Sequence, residues 1–457
     1  MHGDLSPKEF LQGIAGLLAA YYFALAGANA LAACHPWKAG LAASPLRLPW
    51  LRLAVRPARL WLLVAAAFAV MGAICLAGRV HWLSLPLVVC DRIDQWAGPV
   101  VISAGTLLLL LGAFWLREFL VSPCAGWMIL NLVLLAMGLS LTDADFARIV
   151  TKPDNVAIVA MLFLLGFFTW LGARRAVEND ARIARGEETR EQQERERFLV
   201  WPDLVYVELI CMLALAAVLI FWGLAVKAPL EEPASSVKTP NPSKAPWYFV
   251  GLQEMLYYFD PWMAGVVLPG LIILGLMAIP YLDCNPRGNG YYTIHERRFA
   301  YLTFHFGFLV LWILLIVLGT FFRGPNWSFF GPYEAWDVHK VTAASHYHLS
   351  QYFWDAWRGA EMPQVPAEAT GWSRFLHVLW RESPGIVLLL LYFVLPPFIA
   401  PRVSRAVREL RATAGIARYL VICALLLTMA LLPIKMVARW AGHIQYFVAL
   451  PEYFLSF

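Results

Sequence analysis

The chain has 457 residues, of which 60% are hydrophobic against about 45–50% in soluble domains, and its mean hydropathy is +0.61; this excludes a soluble enzyme and places the chain in a bilayer. The net charge of +5 comes mainly from arginines in short loops, a pattern of inside-positive topology rather than of a nucleic-acid patch, so no nucleic-acid partner is expected. The 7 cysteines are scattered and show neither C-x-x-C nor C-x-x-C-H spacing, so no zinc site, iron–sulfur site or covalent haem is expected in this chain, and most of them read as small packing residues.

Ten apolar runs are long enough to cross a membrane, or nearly so, at about 20 residues per crossing. They cover residues 10–33, 60–78, 98–116, 125–141, 156–172, 204–226, 262–281, 299–321, 384–400 and 419–437, with the fourth and ninth the shortest. Leu31-Ala-Ala-Cys34 has the form of a lipoprotein cleavage box, but Asp4 and Glu9 precede it and the usual basic start is missing, so the first run is expected to stay as a helix. Lys38, Arg47, Arg52, Arg56 and Arg59 follow it without an acid, and Arg402, Arg405, Arg408 and Arg411 follow the ninth run. Ten spans put both basic loops on one side, the cytoplasm, and both termini outside. The charged stretch 174–197 and the loop with Arg287, Arg297 and Arg298 then fall inside, and the proline-rich stretch after residue 239 falls outside.

Residues 173–198 are rich in Arg and Glu, with Glu178–Arg182 and Glu191–Arg195 at i,i+4 spacing. They read as a solvated helical extension of the fifth span, with a docking surface for a cytoplasmic partner as the sharper alternative. Five spans precede this stretch and carry no recognisable motif.

After the sixth span comes TPNPSKAPWYFVGLQEMLYYFD, residues 239–260. Prolines stiffen its first half and aromatics fill its second, so it reads as an ordered loop ending in a short helix at the membrane surface, the place where chemistry is expected. Glu254 there has two readings: an acid among apolar neighbours, desolvated and therefore suited to proton relay, or a residue on a wet face, capping or pairing with Lys244. Tyr248 can hydrogen-bond a carbonyl or anchor the interface. Asp260, before Pro261, reads as a start signal for the next helix.

This segment continues into Gly265-Val-Val-Leu-Pro269, Ala278-Ile-Pro-Tyr-Leu-Asp283, Asn285-Pro-Arg-Gly-Asn-Gly-Tyr-Tyr292 and Arg323-Gly-Pro-Asn-Trp327. Over residues 201–340 the chain resembles the C-terminal half of cytochrome b, the part that stands alone as subunit IV of cytochrome b6f-type complexes. The resemblance implies a quinol site shared with other chains, lined here by Pro246, Trp247, Tyr248, Phe249 and Leu252, with Glu254 and Tyr248 as the catalytic candidates. The family's Pro-Glu-Trp-Tyr motif stands here as Ala245-Pro246-Trp247-Tyr248, so its proton-accepting carboxylate is gone and Glu254 is the substitute on the same segment. Cytochrome b holds two haems with two histidine pairs, whereas residues 1–200 contain only His2, His35 and His81. The resemblance therefore implies that no haem is ligated by this chain and that the b haems sit on a cytochrome b6-like haem subunit. A Rieske iron–sulfur protein or a multihaem cytochrome c, together with membrane lipids, completes the implied partners.

Among the spans, His305 reads as an intramembrane functional candidate or as a ring satisfying a neighbouring helix's carbonyl. Asp283, His295 and Glu296 read as inner-loop residues able to feed protons to a second quinone site, or as ordinary solvated ones. Gly265, Gly270, Gly275, Gly307 and Gly319 read as sites of close helix approach. Beyond residue 340, Trp354, Trp357, Trp372, Phe375 and Trp380 point to segments in the headgroup region, and His346-Tyr-His348 reads as polar loop rather than as a metal ligand set.

The expectation is an all-α, polytopic membrane protein of about ten transmembrane helices with a cytochrome b C-terminal-like three-helix unit. Its parts are a five-span region with a charged cytoplasmic helix (1–200), the quinol-site unit (201–340), and an external loop with two further spans (341–457). The expected function is a bc or b6f-like subunit in a bacterial inner membrane, forming the outer-face quinol pocket, with both termini periplasmic. A scaffold that has lost its quinol site is the alternative. A transporter is poorly supported, because the five-span halves show no internal repeat.

Overall fold

The computed structural model describes residues 6–34, 46–47, 54–55, 57–194, 199–226, 233–284, 291–341, 347–453 and 455–457. His2, Asp4, His35, Lys38, Arg52, Arg56, Arg195, Arg287, His346 and the motif residues 285–290 lie outside them.

Helices α1 (Pro7–Cys34), α2 (Pro57–Leu76), α3 (Leu87–Trp96), α4 (Pro99–Trp115), α5 (Pro123–Ser140) and α6 (Pro153–Ala184) make up the N-terminal part. Prolines open several of them because the first turn has no use for the missing N–H. Helix α7 (Val200–Ala225) leads to the short surface helix α8 (Trp247–Met255), and α9 (Met263–Leu282) and α10 (Arg298–Phe322) follow. The C-terminal part holds α11 (Gly371–Arg381), α12 (Ser383–Val403), α13 (Arg405–Ala414) and α14 (Ile416–Ala441). Among the described residues, 9 helices are long and apolar enough to cross a membrane, and α3 with α4, joined at an 82° bend, brings the total to 10. Each of the ten apolar runs is therefore a helix, and the chain is an all-α, multi-pass membrane protein. Among the described residues, strand is confined to residue pairs and triplets, such as Tyr347–His348 against Ile444–Tyr446.

Polar contacts gather at opposite ends of the bundle, as an alternating ten-span path requires. At one end Asp94 accepts from the Tyr333 N–H (3.0 Å), and the Ser140 and Tyr333 hydroxyls meet at 2.8 Å. At the other, the Asp180 carboxylate accepts from the Thr293 hydroxyl and from the N–H groups of Ile294 (3.2 Å) and His295 (3.1 Å).

The charged stretch after residue 173 departs from the solvated extension read in the sequence. Helix α6 stops at Ala184, and the chain turns back through a Thr189–Gln192 capping box. The fully buried Asn179 donates to Glu191 (2.7 Å) and to the Tyr292 carbonyl (2.9 Å), and accepts from the Arg190 N–H (3.0 Å). Glu178 pairs with Arg190, and Arg182 donates to the Glu188 carbonyl. The hairpin brings Glu178 and Asn179 within reach of Arg190 and Glu191, eleven or twelve residues on, and Arg182 within reach of the Glu188 carbonyl, six residues on.

Among the described residues, the two largest buried clusters are distinct. Leu18, Tyr22, Phe68 and Cys75 join α1 to α2, with Leu135 of α5 alongside; nearby, Asn29, Asn131 and Trp127 satisfy one another by hydrogen bonds of 2.6–2.9 Å. The larger core joins α8, α9, α10 and α14 through Met255, Tyr258, Phe259, Leu315, Leu318 and Leu431. The last span is thus part of the platform that carries the surface helix. Helix α7 has no buried residue. Trp354 corrects the headgroup reading: it is buried, its indole N–H donating to the Arg381 carbonyl (2.9 Å), while Trp357, Trp372, Phe375 and Trp380 are exposed.

Candidate functional site

The site is built on α8, the proline-rich strap before it (residues 239–246), the C-terminal end of α10 and the turn that follows. Pro246, extended at φ −51° and ψ 148°, ends the strap and starts α8 at Trp247. Gln253, two turns into α8, reaches back: its amide oxygen accepts from the Ala245 N–H (2.9 Å) and its amide nitrogen donates to the Ser243 carbonyl (2.8 Å). Asn241 and Asn326 bond reciprocally at 2.9 and 2.7 Å, tying the strap to the turn after α10. The strap is fixed at three points because Lys244 also donates to the Thr320 carbonyl (2.7 Å) while lying 4.7 Å from the Trp336 ring centre.

Helix α8 lies against α10 at a distance that only glycine permits. A Cβ at Gly319 would overlap Val250, and one at Gly251 would press on Ile316 at 3.3 Å. Gly307 likewise faces Met429 closely, but Gly265 and Gly270 face open space, so the close-approach reading fails for those two.

The close approach brings Glu254 onto Arg323, the residue just past α10. Both are buried, at 0% and 2% exposure. Arg323 donates through Nη2 (2.7 Å) and Nε (3.0 Å) to the two carboxylate oxygens, and the Tyr258 hydroxyl adds a third donor at 2.8 Å. Burial first, and then the adjacent carboxylate, pushes the Tyr258 phenol well above its ordinary range, so it keeps its proton and stays a donor. Arg323 also donates to the Trp327 carbonyl (3.1 Å) and stacks 4.1 Å from the Tyr257 ring centre. Neither sequence reading of Glu254 describes this: it is neither among apolar groups alone nor on a wet face with Lys244. The sign was there in the sequence, a single arginine directly after an apolar run, but its partner lies 69 residues away.

The residues expected to line a quinone divide. Pro246, Trp247, Tyr248 and Phe249 form an exposed edge, with the Tyr248 ring 5.6 Å from Trp247 and 4.8 Å from Phe249. Leu252 is turned toward the core. Asp260 caps the start of α9, accepting from the Trp262 N–H (2.9 Å). His305 bonds the Tyr301 carbonyl of its own helix (2.8 Å) rather than one from a neighbour.

Past the far end of α9, Asp283 forms a two-pronged pair with Arg297 (2.6 and 2.9 Å), and Glu296 accepts from the Tyr291 hydroxyl (2.9 Å). A cavity of about 700 Å³ opens there between α12, α13 and α14, away from the strap. His348 stacks on Tyr446 with ring centres 5.6 Å apart.

Residues 233–332 match the family model described as cytochrome b(C-terminal)/b6/petD, a segment that spans the strap, α8, α9, α10 and the turn after it. The match covers about a fifth of the chain and leaves out both flanking parts. No solved structure matches the chain.

Proposed function

We propose that this chain is a membrane subunit of a cytochrome bc or b6f-like quinol oxidoreductase and forms the outer wall of its quinol-oxidation pocket. The observation that carries this reading is the rigid strap and surface helix within the family-matched segment, which turn the Trp247, Tyr248 and Phe249 edge away from the chain's own core. Flat rings with one hydroxyl suit a quinol head group, the rings providing apolar contact and Tyr248 a hydrogen bond to a quinol oxygen. An edge open in one chain becomes a pocket when another chain covers it. In this reading the electrons pass to a Rieske iron–sulfur protein or multihaem cytochrome c and to haems on a separate b6-like subunit. Glu254 serves as a clamp on Arg323 beneath the pocket, its two oxygens receiving the guanidinium and the Tyr258 hydroxyl.

The test is purification of the complex from its native membrane. A stoichiometric haem-bearing chain, quinol-dependent reduction of an electron acceptor, and cross-linking of a photoreactive quinone to residues 246–252 are expected. The chain expressed without partners is expected to show no Soret band. The missing carboxylate at Pro246 favours the second reading, a scaffold; purification without any haem chain and without quinol turnover would establish that reading instead.

The proposed orientation puts the strap on the periplasmic side of a bacterial inner membrane with both termini. Single cysteines at Lys238 and Ser243 are expected to react with an impermeant maleimide in intact spheroplasts, and one at Arg411 only after lysis. The reverse pattern defeats the orientation and moves the pocket to the other face.

A further inference from the structure

At the end of the bundle that Asp180 marks, α12 carries Pro396, Pro397 and Pro401 in its last turns. Pro401 has no N–H to give the carbonyl of Pro397, and the Tyr419 hydroxyl at the start of α14 takes that acceptor instead (2.8 Å). Around this joint the facing side chains are short, among them Ala400 of α12 with Ala406 and Thr413 of α13, and the cavity of about 700 Å³ lies between them. It continues past Pro396 and Ala400 into an open apolar groove of about 560 Å³ along one face of α12, from Leu388 to Val403. That face is about 22 Å long, more than the roughly 15 Å of hydrocarbon in one leaflet. The mouth of the cavity is polar instead, with Arg298, Glu296 and Glu409. The Arg298 guanidinium lies over the Phe114 ring at 5.2 Å, and neither it nor the Glu409 carboxylate forms an ion pair among the described residues. Arg405, Arg408 and Arg411 fall on the opposite face of α13 and do not line the cavity.

We propose that this cavity is a binding site for phosphatidylethanolamine, with the phosphate on Arg298, the ammonium on Glu409 and one acyl chain laid along α12. Charges at the edge of the hydrocarbon are costly without an opposite charge, and this head group brings both signs to a mouth that carries both. The guanidinium fork matches phosphate oxygens, and the ammonium N–H groups donate to a carboxylate. An anionic head group would meet two carboxylates against one guanidinium, and a quinone head group has no charge to pair with either. Glu296 and Arg298 belong to the family-matched segment, whereas α12, α13 and α14 lie outside it. The lipid therefore joins the two parts where their helices leave a gap. At the opposite end of the bundle no filler is needed, because α14 packs directly on α8 and α9 through Leu431 and Met436.

The experiment uses the protein purified from its native membrane, delipidated in detergent and titrated with single lipids while binding is read by native mass spectrometry. Phosphatidylethanolamine is expected to bind about tenfold or more tightly than phosphatidylglycerol, which lacks the ammonium, or phosphatidylcholine, whose methylated nitrogen has no N–H; that is the worth of a charge-assisted hydrogen bond. Glu409→Gln is expected to bring phosphatidylethanolamine down to the level of phosphatidylglycerol, and Glu409→Arg to reverse the preference. Arg298→Gln is expected to weaken both lipids, since both carry the phosphate. Phosphatidylethanolamine with a photoreactive acyl chain is expected to label the α12 face between Leu388 and Val403. Phosphatidylglycerol or a quinone binding as tightly as phosphatidylethanolamine, an affinity unchanged in both Glu409→Gln and Arg298→Gln, or labelling confined to other helices overturns the proposal. Should the variants not assemble, the competition among lipids and the labelling, both done on the wild type, still decide.

Discussion

Glu254→Gln is expected to lower the stability of the assembled protein by about 3–5 kcal/mol, the usual cost of leaving one member of a buried ion pair without its partner. The amide keeps the shape and one acceptor, but Arg323 then sits at 2% exposure with its charge uncompensated. Arg323→Met should cost a similar amount for the mirror reason, because the carboxylate keeps only the Tyr258 donor. Glu254→Gln with Arg323→Met removes both charges, so most of the loss should return, and a double-mutant cycle on thermal unfolding in detergent would read a coupling of several kcal/mol. A Glu254→Gln protein that melts with the wild type would show that the pair does not hold α8 to α10. The loss would also have a functional form. The strap, the Arg323–Trp327 turn and the exposed aromatic edge share this anchor, so cross-linking of a photoreactive quinone to residues 246–252 should fall along with stability.

Asp180→Ala should release the segment at residues 293–295 that precedes α10. The carboxylate gathers the Thr293 hydroxyl and two consecutive backbone N–H groups, and all three lose this acceptor once it is gone. Hydrogen bonds to a charged group contribute about 1.5–3 kcal/mol each, so a total loss of about 3 kcal/mol or more is expected. That corresponds to roughly a hundredfold increase in local opening, measurable as amide exchange at residues 293–295, while the buried network of Asn29, Asn131 and Trp127 should exchange as before. Asp180→Asn keeps an acceptor without the charge and should fall between the two. Unchanged exchange at 293–295 in the alanine variant would mean that Asn179 alone carries the joint. The joint matters because it ties the N-terminal helices to the cytochrome b-like part at one end of the bundle, and the Tyr333 contacts with Asp94 and Ser140 tie them at the other.

What the sequence alone determined is whatever depends on neighbours in the chain. An apolar run of sufficient length must close its own backbone hydrogen bonds in lipid and so must be a helix, which is why all ten runs were legible, down to the short fourth run that becomes the 18-residue α5. Proline and aromatic placement likewise gave the strap and the surface helix, and Asp260 gave the start of α9. Pairings were decided only by the tertiary structure. Glu254 meets Arg323 across 69 residues, Asp180 meets His295 across 115, and Asp94 meets Tyr333 across 239. Nothing in the local pattern ranks one distant partner above another. Trp354 and Trp372 are the same residue type in the segment between α10 and α12, yet one is buried on Arg381 and the other is exposed. For the same reason the sequence offered Lys244 as a partner for Glu254, whereas its amine donates to the Thr320 carbonyl. Gly319 and Gly251 let α8 settle closely onto α10, and the acceptor of that amine lies 76 residues further along the chain.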